Sequence, residues 1–376
     1  MPTRTTMETV LIGIPCLMVG GTEMQTLRLA QALTEGGYRV VVCCYFEYRF
    51  EVVQMFQRAG CTVTCLSAYG TRPKGLWAQL RFLQKGLRRV VREYRPSKAH
   101  VQYMAPGALP LWCLRRMGVK DLYATLHTTA DHYGSLRLVR WLQRHWVKVF
   151  TCVSQTAERG FFGSSSLYTT EAAVGRHSHF TLYNCLPPNM QAAPCATTGH
   201  LTIGVVARLE RIKGTDLVFP AFASVLRRIP TARLVVVGDG SLRQAMERQQ
   251  ADLRIPEERV TWAGRLPHER LPEQYAQMDI AWMPSRSEGF GLGAVEAMAQ
   301  GVPVVAAHVG GLAEVIADGQ DGLLVPAEDS EALAQATITL WEDGARRHTL
   351  AERGRERAAE FSFAKYKELV LSLYGK

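Results

Sequence analysis

The chain has 376 residues, of which 47% are hydrophobic and 21% charged, a balance typical of a soluble globular protein. This length is too great for one ordinary hydrophobic core, so we expect two domains. The nine cysteines are scattered and include no CxxC pair. Their distribution indicates a reducing compartment and argues against a disulfide framework or a zinc site.

Charge is divided unevenly along the chain. Residues 1–190 carry 23 Lys and Arg against 10 Asp and Glu, whereas the remaining residues carry 21 against 24. The formal net charges are therefore +13 and −3. We expect the first half to attract anionic partners.

The apolar stretch VLIGIPCLMVGG follows Arg4 and resembles the core of a secretory signal. It ends in Gly20 and Gly21 without a small-x-small cleavage pattern, and a helical pattern begins at once. We therefore interpret it as a buried first strand. No run reaches the ~18 apolar residues that would span a bilayer, and we expect a cytoplasmic protein.

The first half alternates apolar strands with amphipathic helices. A strand TVLIGIP, a turn MVGGTE and a helix MQTLRLAQALTEGG, which ends in a glycine C-cap, open the chain. Further strands are predicted at YRVVVCCYF, AGCTVTCLS, KAHVQYM, LYATLH and KVFTCVS. Such alternation is typical of a parallel sheet that is covered on both faces.

A segment rich in Pro, Ala and Thr, CLPPNMQAAPCATTGH, interrupts this pattern at residues 185–200. The alternation then resumes at LTIGVVARL, ARLVVVGDG, RVTWAGRL, DIAWMPS, GVPVVAA and DGLLVP. We predict two doubly wound α/β domains, residues 1–188 and 200–358, which face each other across a cleft. The helical residues 359–376 are expected to pack back across the join towards the first domain. Ligands of such sheets bind at the carboxyl ends of the strands.

Residues 76–95 have the pattern of an amphipathic helix with an apolar stripe from Leu76 to Tyr94. The opposite side carries six cations and one acid, Glu93. An ordinary surface helix is one explanation, and we expect the apolar stripe to face the core. The cationic excess leads to the hypothesis that this side, with RRMGVK and LVRWLQRHW nearby in sequence, contacts an anionic membrane surface or a phosphate-bearing lipid acceptor. No basic motif interleaved with aromatic residues is present, so we expect no nucleic-acid partner.

Two cations follow the first predicted strand of the second half, in VVARLERIKGTD. Arg208 and Lys213 lie on the loop that leaves the carboxyl end of this strand, with Gly214 allowing close approach of the backbone. A forked guanidinium and a compact ammonium that converge on one point suit a diphosphate. Taken alone, the pair is also compatible with two solvated surface cations.

Two acids separated by seven residues occur in SRSEGFGLGAVEAMAQGVPVV, residues 285–305. We expect Glu288 in the loop after a strand and Glu296 in a helix that begins near Leu292. Between them, Gly289 and Gly291 leave backbone N–H groups unobstructed at a helix N-terminus, which favours an anion. Complementing the helix dipole would explain either acid alone, but not the glycines.

The stretch EGFGLGAVEAMAQGVPVV, together with RLERIKG, resembles the retaining glycosyltransferases of family 4. Their signature is a Glu, seven residues and a second Glu, preceded by an Arg…Lys pair. The resemblance extends to GGLAEVIADGQDGLLV, MVGGTE, ATLHTT and CVSQTA and so covers nearly the whole chain. It implies the GT-B fold of two Rossmann-like domains, a nucleotide-diphosphate sugar donor (UDP-linked) without a further cofactor, and a glycan, lipid-linked or small-molecule acceptor.

The resemblance also implies roles for individual residues. Arg208 and Lys213 would bind the donor diphosphate and offset charge on the leaving nucleotide, and Glu296 would hold the ribose. Glu288 would lie beside the donor sugar and either order its hydroxyls or stabilise positive charge at the anomeric carbon. His127 would contact the sugar or support the transition state. The remaining donor contacts would come from Gly20, Gly21, Arg265, Gly289, Phe290, Gly291 and Leu292.

The sequence contains no DxD element, so no metal is implied, and the cations and the helix N-terminus would neutralise charge instead. The resemblance implies retaining transfer in which the departing phosphate accepts the proton of the acceptor. A nucleotide-sugar epimerase or hydrolase of the same architecture and a catalytically silent binding subunit remain alternatives. The expected role is cell-surface polysaccharide or glycoconjugate synthesis, in the cytoplasm or peripherally on the inner face of the cytoplasmic membrane.

Overall fold

The chain divides into two compact units in the computed structural model, which describes residues 7–68, 70–103, 107–172, 174–175, 178–188, 190 and 199–376. Unit 1 comprises Met1–Cys185 and Phe363–Lys376, and unit 2 comprises Leu186–Ser362. Much of the predicted join, residues 189 and 191–198, lies outside the described residues. None of the described helices is both long enough and apolar enough to cross a bilayer.

Unit 1 alternates strands and helices. Its elements in chain order are β1 (Thr9–Ile14), α1 (Gly21–Glu35), β2 (Arg39–Cys44), α2 (Phe50–Arg58), β3 (Thr62–Cys65), α3 (Leu76–Tyr94), β4 (Lys98–Gln102), α4 (Ala108–Arg116), β5 (Asp121–Leu126), α5 (Leu136–His145), β6 (Val149–Cys152), α6 (Gln155–Phe162) and β7 (Ser178–Thr181). The strands form one parallel sheet in the order β3-β2-β1-β4-β5-β6-β7. The order reverses between β1 and β4, and this switch point is where such sheets bind ligands.

Apolar side chains of the strands cover both faces of this sheet, as expected for parallel strands buried on both sides. Val10 and Ile12 of β1 join a core with α1 and α2, whereas Leu11 joins a second core with α3, α4 and α5. Successive residues of one strand therefore point to opposite helical layers.

Two details of unit 1 differ from the sequence interpretation. The edge strand β7, of only four residues, has no apolar run and was not predicted. Its place depends on pairing with β6. Leu76, the first residue of the predicted apolar stripe, is 63% exposed, whereas Leu83, Leu87 and Val90 are buried. The first turn of α3 therefore lies outside the core.

Unit 2 repeats the architecture. Its elements are β8 (Thr202–Val206), α7 (Val218–Arg228), β9 (Arg233–Val237), α8 (Arg243–Asp252), β10 (Val260–Gly264), α9 (Leu271–Tyr275), β11 (Ile280–Met283), α10 (Leu292–Ala299), β12 (Val304–Ala307), α11 (Leu312–Val315), β13 (Leu323–Val325), α12 (Ser330–Glu342) and α13 (Gly344–Ala359). The sheet is parallel in the order β10-β9-β8-β11-β12-β13. Its switch point lies between β8 and β11, so the loops after these two strands leave the sheet side by side.

The last helix, α14 (Phe363–Tyr374), belongs to unit 1. It packs against α1, and its Tyr374 hydroxyl lies 2.7 Å from Nδ1 of His100 on β4. The other imidazole nitrogen, Nε2, lies 2.6 Å from the Thr125 hydroxyl. Burial lowers the pKa of His100 to about 3, so this ring is neutral at pH 7.

Candidate active site

The loops after β8 and β11 meet at the switch point of unit 2. Lys213 Nζ donates to Glu288 Oε2 over 2.6 Å, and the Ser285 hydroxyl donates to the same oxygen over 3.2 Å. The side chains of Lys213 and Glu288 are 23% and 18% exposed. Two of the predicted site residues, 75 positions apart in sequence, thus form one partly open ion pair.

Close backbone packing brings these loops together. Gly214 has φ +63°, and a Cβ there would lie 1.8 Å from the carbonyl oxygen of Pro284. The amide of Arg286 donates to the carbonyl of Ile212 over 2.9 Å. The close backbone approach expected at Gly214 is made to the loop after β11.

Arg286 also joins the two loops through its guanidinium. Nη1 and Nη2 donate to the two carboxylate oxygens of Asp216 over 2.6 and 2.8 Å, and Nη1 donates to the Arg211 carbonyl over 2.6 Å. The hydrogen bonds that Arg286 donates to Asp216 and then to Glu328 raise the pKa of the guanidinium, which keeps it charged. A planar donor fork is suited to holding several acceptors at once. The sequence analysis missed this residue.

The helix α10 begins at Leu292, as the sequence predicted. Its N-cap, Gly291, has φ +102°, a left-handed conformation that favours glycine, and a Cβ would also approach Leu312 to 2.8 Å. Ala294 and Val295 donate to the Gly291 carbonyl. Among the described residues, the amides of Leu292 and Gly293 have no acceptor. These amides and the helix dipole can receive an anion.

Glu296 lies one turn into α10 and is 4% exposed. Its Oε1 is 2.8 Å from His268 Nε2, and its Oε2 accepts from the Tyr275 hydroxyl over 3.3 Å. Burial, and then Glu296, raise the pKa of Tyr275, so the phenol remains a donor. His268 and Tyr275, which the sequence analysis missed, therefore fix the orientation of this carboxylate.

The other predicted residues of unit 2 are spread around this centre. Gly289 is half-buried, and Phe290 is 3% exposed with its ring packed edge-on against Phe361 at 5.4 Å. The exposed guanidiniums of Arg208 and Arg265 make no hydrogen bond or ion pair within the described part of the chain. The structure thus joins Lys213 directly to Glu288 but gives Arg208 and Arg265 no contact with either glutamate.

In unit 1, the predicted glycines begin α1 next to the end of β1. Gly20 is the N-cap, and its carbonyl accepts from the Met24 amide. A Cβ at Gly21 would meet no atom within 4 Å, whereas one at Gly20 would lie 2.7 Å from Glu23 Oε2. The space beside the Gly21 backbone is therefore open, whereas the space beside Gly20 is occupied by the Glu23 carboxylate of the same helix.

His127 follows β5, and its Nε2 lies 2.5 Å from Oε1 of Gln102 at the end of β4. Burial lowers the pKa of His127 to about 4, so the imidazole is neutral at pH 7. The Gln102 Nε2 is buried without a partner in the described residues. A neutral imidazole can accept or donate a hydrogen bond to a hydroxyl, but it does not supply a positive charge.

Within the described residues, no three His, Cys, Asp or Glu side chains are grouped so that they could hold a metal ion. Lys213, paired with Glu288 in the loop before α10, is a positive group close to this helix N-terminus, and Arg208 is exposed at the start of the loop that carries Lys213. Such a set can bind a dianionic group and stabilise charge that develops on it.

Comparisons with known proteins cover both units. Residues 193–357 match the family described as "Glycosyl transferases group 1", and residues 20–159 match "Glycosyl transferase 4-like domain". The two matches together cover the sheet of unit 2 and most of the sheet of unit 1.

Among curated proteins, the chain is 36% identical over 178 residues to the D-inositol 3-phosphate glycosyltransferase of Corynebacterium urealyticum, covering 46% of this chain and 42% of that protein. It is 35% identical over 162 residues to a GDP-mannose-dependent alpha-(1-6)-phosphatidylinositol monomannoside mannosyltransferase of Mycolicibacterium smegmatis, covering 41% and 42%. The matched segments thus span about two fifths of the length of these relatives.

Among solved structures, the Anabaena protein Alr3699/HepE in complex with UDP-glucose is similar, with TM-score 0.80 and 20% identity over 96% of this chain and 98% of that one. The sucrose-phosphate synthase of Thermosynechococcus elongatus gives TM-score 0.77 and 21% identity, with 96% of each chain covered. At these identities the likeness establishes the fold, and the predicted class of two Rossmann-like domains of the GT-B type is confirmed.

Proposed function

The chain belongs to family 4 of the glycosyltransferases, and we propose that it transfers a sugar from a nucleoside-diphosphate donor to a hydroxyl of its acceptor with retention of anomeric configuration. The proposal rests on the ion pair of Lys213 and Glu288 beside the open N-terminus of α10. Positive charge and unpaired backbone donors of this kind would bind a diphosphate and stabilise the charge that develops as it leaves. Arg208, exposed on the same loop, would reach the same group.

Glu288 and Glu296 would take different parts of the donor. Glu296, held by His268 and Tyr275, would accept hydrogen bonds from the ribose hydroxyls. Glu288 already accepts from Lys213 and Ser285, and it would order the sugar hydroxyls or stabilise positive charge at the anomeric carbon. Phe290, whose ring is buried, would fix the loop so that the backbone of Gly289–Leu292 meets the sugar and phosphate.

In the proposed reaction, the bond between the anomeric carbon and the diphosphate oxygen breaks while the acceptor oxygen bonds to the same face of the sugar. The acceptor proton passes to the departing diphosphate. Lys213 and Arg208 offset the negative charge on that group. In unit 1, Gly20 and Gly21 would bind phosphate through their backbone, and neutral His127 would hydrogen-bond a sugar hydroxyl.

We propose UDP as the donor nucleotide. The support is the similar structure that binds UDP-glucose, although another relative is GDP-mannose-dependent. Arg265, exposed after β10, would contact the base. Calorimetric titration with UDP, GDP and ADP should show the tightest binding for UDP, and tighter binding of either other nucleotide would reject the UDP assignment.

No resident metal takes part in the proposed reaction. Lys213 would supply the neutralisation that a divalent cation supplies in other sites. Transfer rates should therefore be the same after dialysis against EDTA as after dialysis against buffer. Loss of activity that returns with added Mg²⁺ or Mn²⁺ would contradict this part of the proposal.

For the acceptor we propose a glycan or lipid-linked hydroxyl in cell-surface polysaccharide or glycoconjugate synthesis. The location proposed is the cytoplasm, with peripheral association at the inner face of the cytoplasmic membrane. One relative acts on a phosphatidylinositol mannoside by its name, and the basic charge of residues 1–190 suits an anionic surface.

The decisive experiment is product analysis by mass spectrometry and NMR with the best-bound nucleotide sugar, with and without an acceptor panel. We expect a glycosylated acceptor in which the anomeric configuration of the donor is kept. Free sugar or an epimerised donor, formed equally without acceptor, would indicate a hydrolase or epimerase. Donor binding without any turnover would indicate a silent binding subunit.

A further inference from the structure

We propose that the helices α3, α4 and α5 of unit 1 form a docking surface for an anionic phospholipid bilayer. These three helices cover one face of the sheet, and their apolar residues share one core with it. The side chains of α3, α4 and α5 that do not enter this core form the outer surface of the three helices, which we call the basic layer. The basic layer would make the membrane contact in the proposed peripheral location, and this proposal rests on that location.

The charge of the basic layer is strongly one-sided. Helix α3 carries five Lys and Arg, α4 two and α5 three, whereas Glu93 is the one acid among these described helix residues. The helices on the other face of the same sheet, α1, α2 and α14, carry four cations and four acids. A need for solubility would act on both faces alike. The difference therefore indicates an anionic partner for one face.

The cations of α3 also surround an open groove. Arg81, Lys85, Arg88, Arg89 and Arg92 line a groove of about 640 Å³, together with Gln84 and Glu93. All five cations are exposed, and none has an ion-pair partner among the described residues. A groove of this kind can receive the phosphates of lipid headgroups, which Arg and Lys bind from different directions.

Exposed apolar residues occur on two helices of the basic layer. Leu76 and Trp77, the first two residues of α3, are 63% and 73% exposed, and Leu138 and Trp141 of α5 are 43% and 44% exposed. The ring of Trp141 packs edge-on against that of Trp146, with ring centroids 4.9 Å apart. A soluble surface gains nothing from these side chains, whereas Trp and Leu enter the interfacial zone of a bilayer beside cationic residues.

The position of these residues indicates which edge of the unit 1 sheet would face the bilayer. Helix α3 connects β3 to β4 and α5 connects β5 to β6, so the first turns of both helices lie towards the carboxyl edge of the parallel sheet. The predicted His127 and the Gly21 backbone occupy this same edge. A bilayer that binds Trp77 and Leu138 would therefore present lipid-linked hydroxyls to the edge where unit 1 is expected to receive its acceptor.

Vesicle co-sedimentation with the full chain tests the surface. We expect binding to vesicles of phosphatidylcholine mixed with phosphatidylglycerol, little binding to phosphatidylcholine alone, and loss of binding as salt screens the charges. The double variant Arg88→Glu/Arg89→Glu should weaken partition on the order of a hundredfold. Trp77→Ser should weaken it several-fold at both low and moderate salt, because its contribution is not electrostatic.

The matched control is Arg248→Glu/Arg353→Glu, which reverses two exposed arginines of unit 2 and should bind vesicles like the wild type. Thermal unfolding and transfer to a small water-soluble acceptor should be unchanged in both double variants. Equal binding to neutral and anionic vesicles, or unchanged binding by Arg88→Glu/Arg89→Glu, would overturn the proposal. Displacement from vesicles by glycerol phosphate would overturn it in favour of a soluble phosphate ligand. Because binding is measured without turnover, the surface can fail while glycosyl transfer stands.

Discussion

The two units have the same architecture, yet the carboxyl edges of their sheets differ in chemistry. At the unit 2 edge, Lys213 and Glu288 form a charged pair beside a helix N-terminus. At the unit 1 edge, His127 and Gln102 form a neutral pair, because burial lowers the pKa of His127 to about 4.

The two edges are therefore suited to two kinds of ligand. A charged edge suits a phosphate group, which must be neutralised. A neutral edge suits hydroxyls, which need donors and acceptors but no counter-charge. The helical connections do not distinguish the two sheets, and the proposed difference in ligand depends on a few side chains at the strand ends.

The largest expected effect comes from removing the cation of the charged edge. Lys213→Ala should lower kcat by about 10²–10³-fold, because it removes a group that stabilises the leaving diphosphate. The control is Lys148→Ala, since Lys148 pairs with Asp121 over 3.0 Å at the opposite edge of the unit 1 sheet. Steady-state kinetics that show equal rates for Lys213→Ala and Lys148→Ala would break the comparison.

A smaller loss is expected at the buried acid. Glu296→Ala should weaken nucleotide binding by about 10–100-fold, the value of charge-assisted hydrogen bonds to the ribose. Calorimetric titration measures this directly, with Glu273→Ala as the control because Glu273 pairs with Arg270 on the exposed surface of unit 2. Wild-type affinity in Glu296→Ala would remove this residue from the donor site.

The neutral histidines make unit 1 sensitive to acid. His100 has a pKa of about 3 when folded against about 6.5 when unfolded. Below pH 6.5 the unfolded chain therefore binds a proton that the folded chain does not. Stability falls as pH decreases, by up to about 1.4 kcal/mol per pH unit.

Urea unfolding of wild type and His100→Gln at a series of pH values isolates this contribution. Their difference in unfolding free energy should change with pH below 6.5, with the wild type losing more stability in acid. Parallel pH profiles for the two proteins would show that His100 does not titrate as expected.

The smallest effect is expected from the partner of Glu296. His268→Leu removes the contact of 2.8 Å to Glu296 Oε1, and the KM for the donor should rise about 2–10-fold with little change in kcat. His268→Gln keeps a donor and should recover much of the loss. Equal KM values for the Leu and Gln variants would indicate that the ring only fills space.

Much of this arrangement could be predicted from sequence because it follows from local rules. Strands alternating with helices indicated the sheets, and Gly291 before an apolar helix predicted the start of α10 at Leu292. The spacing of Glu288 and Glu296 separated a loop acid from a helix acid. The resemblance implied that Lys213 and Glu288 would contact the same donor, and the structure pairs these two side chains.

The remaining features depend on contacts between segments that are distant in sequence. His268 and Tyr275 precede Glu296 by 28 and 21 residues, and only the packing of their loop against α10 brings them into contact. Gly214 contacts Pro284 rather than open space, which no local pattern encodes. Leu76 fits the apolar periodicity of α3, yet its side chain is exposed because the first turn of this helix lies outside the core.

The hydrogen bond between Tyr374 and His100 affects the order in which the protein can be completed during synthesis. Unit 1 is interrupted, since its first 185 residues are made before unit 2 and its last helix is made after it. Until α14 leaves the ribosome, the His100 ring lacks its Tyr374 partner, and α1 lacks the helix that packs on it. The seven strands of unit 1 are made first, and every strand and helix of unit 2 is made before α14, so unit 2 can fold before α14 packs on α1. The nascent chain can therefore complete unit 2 before unit 1 receives α14.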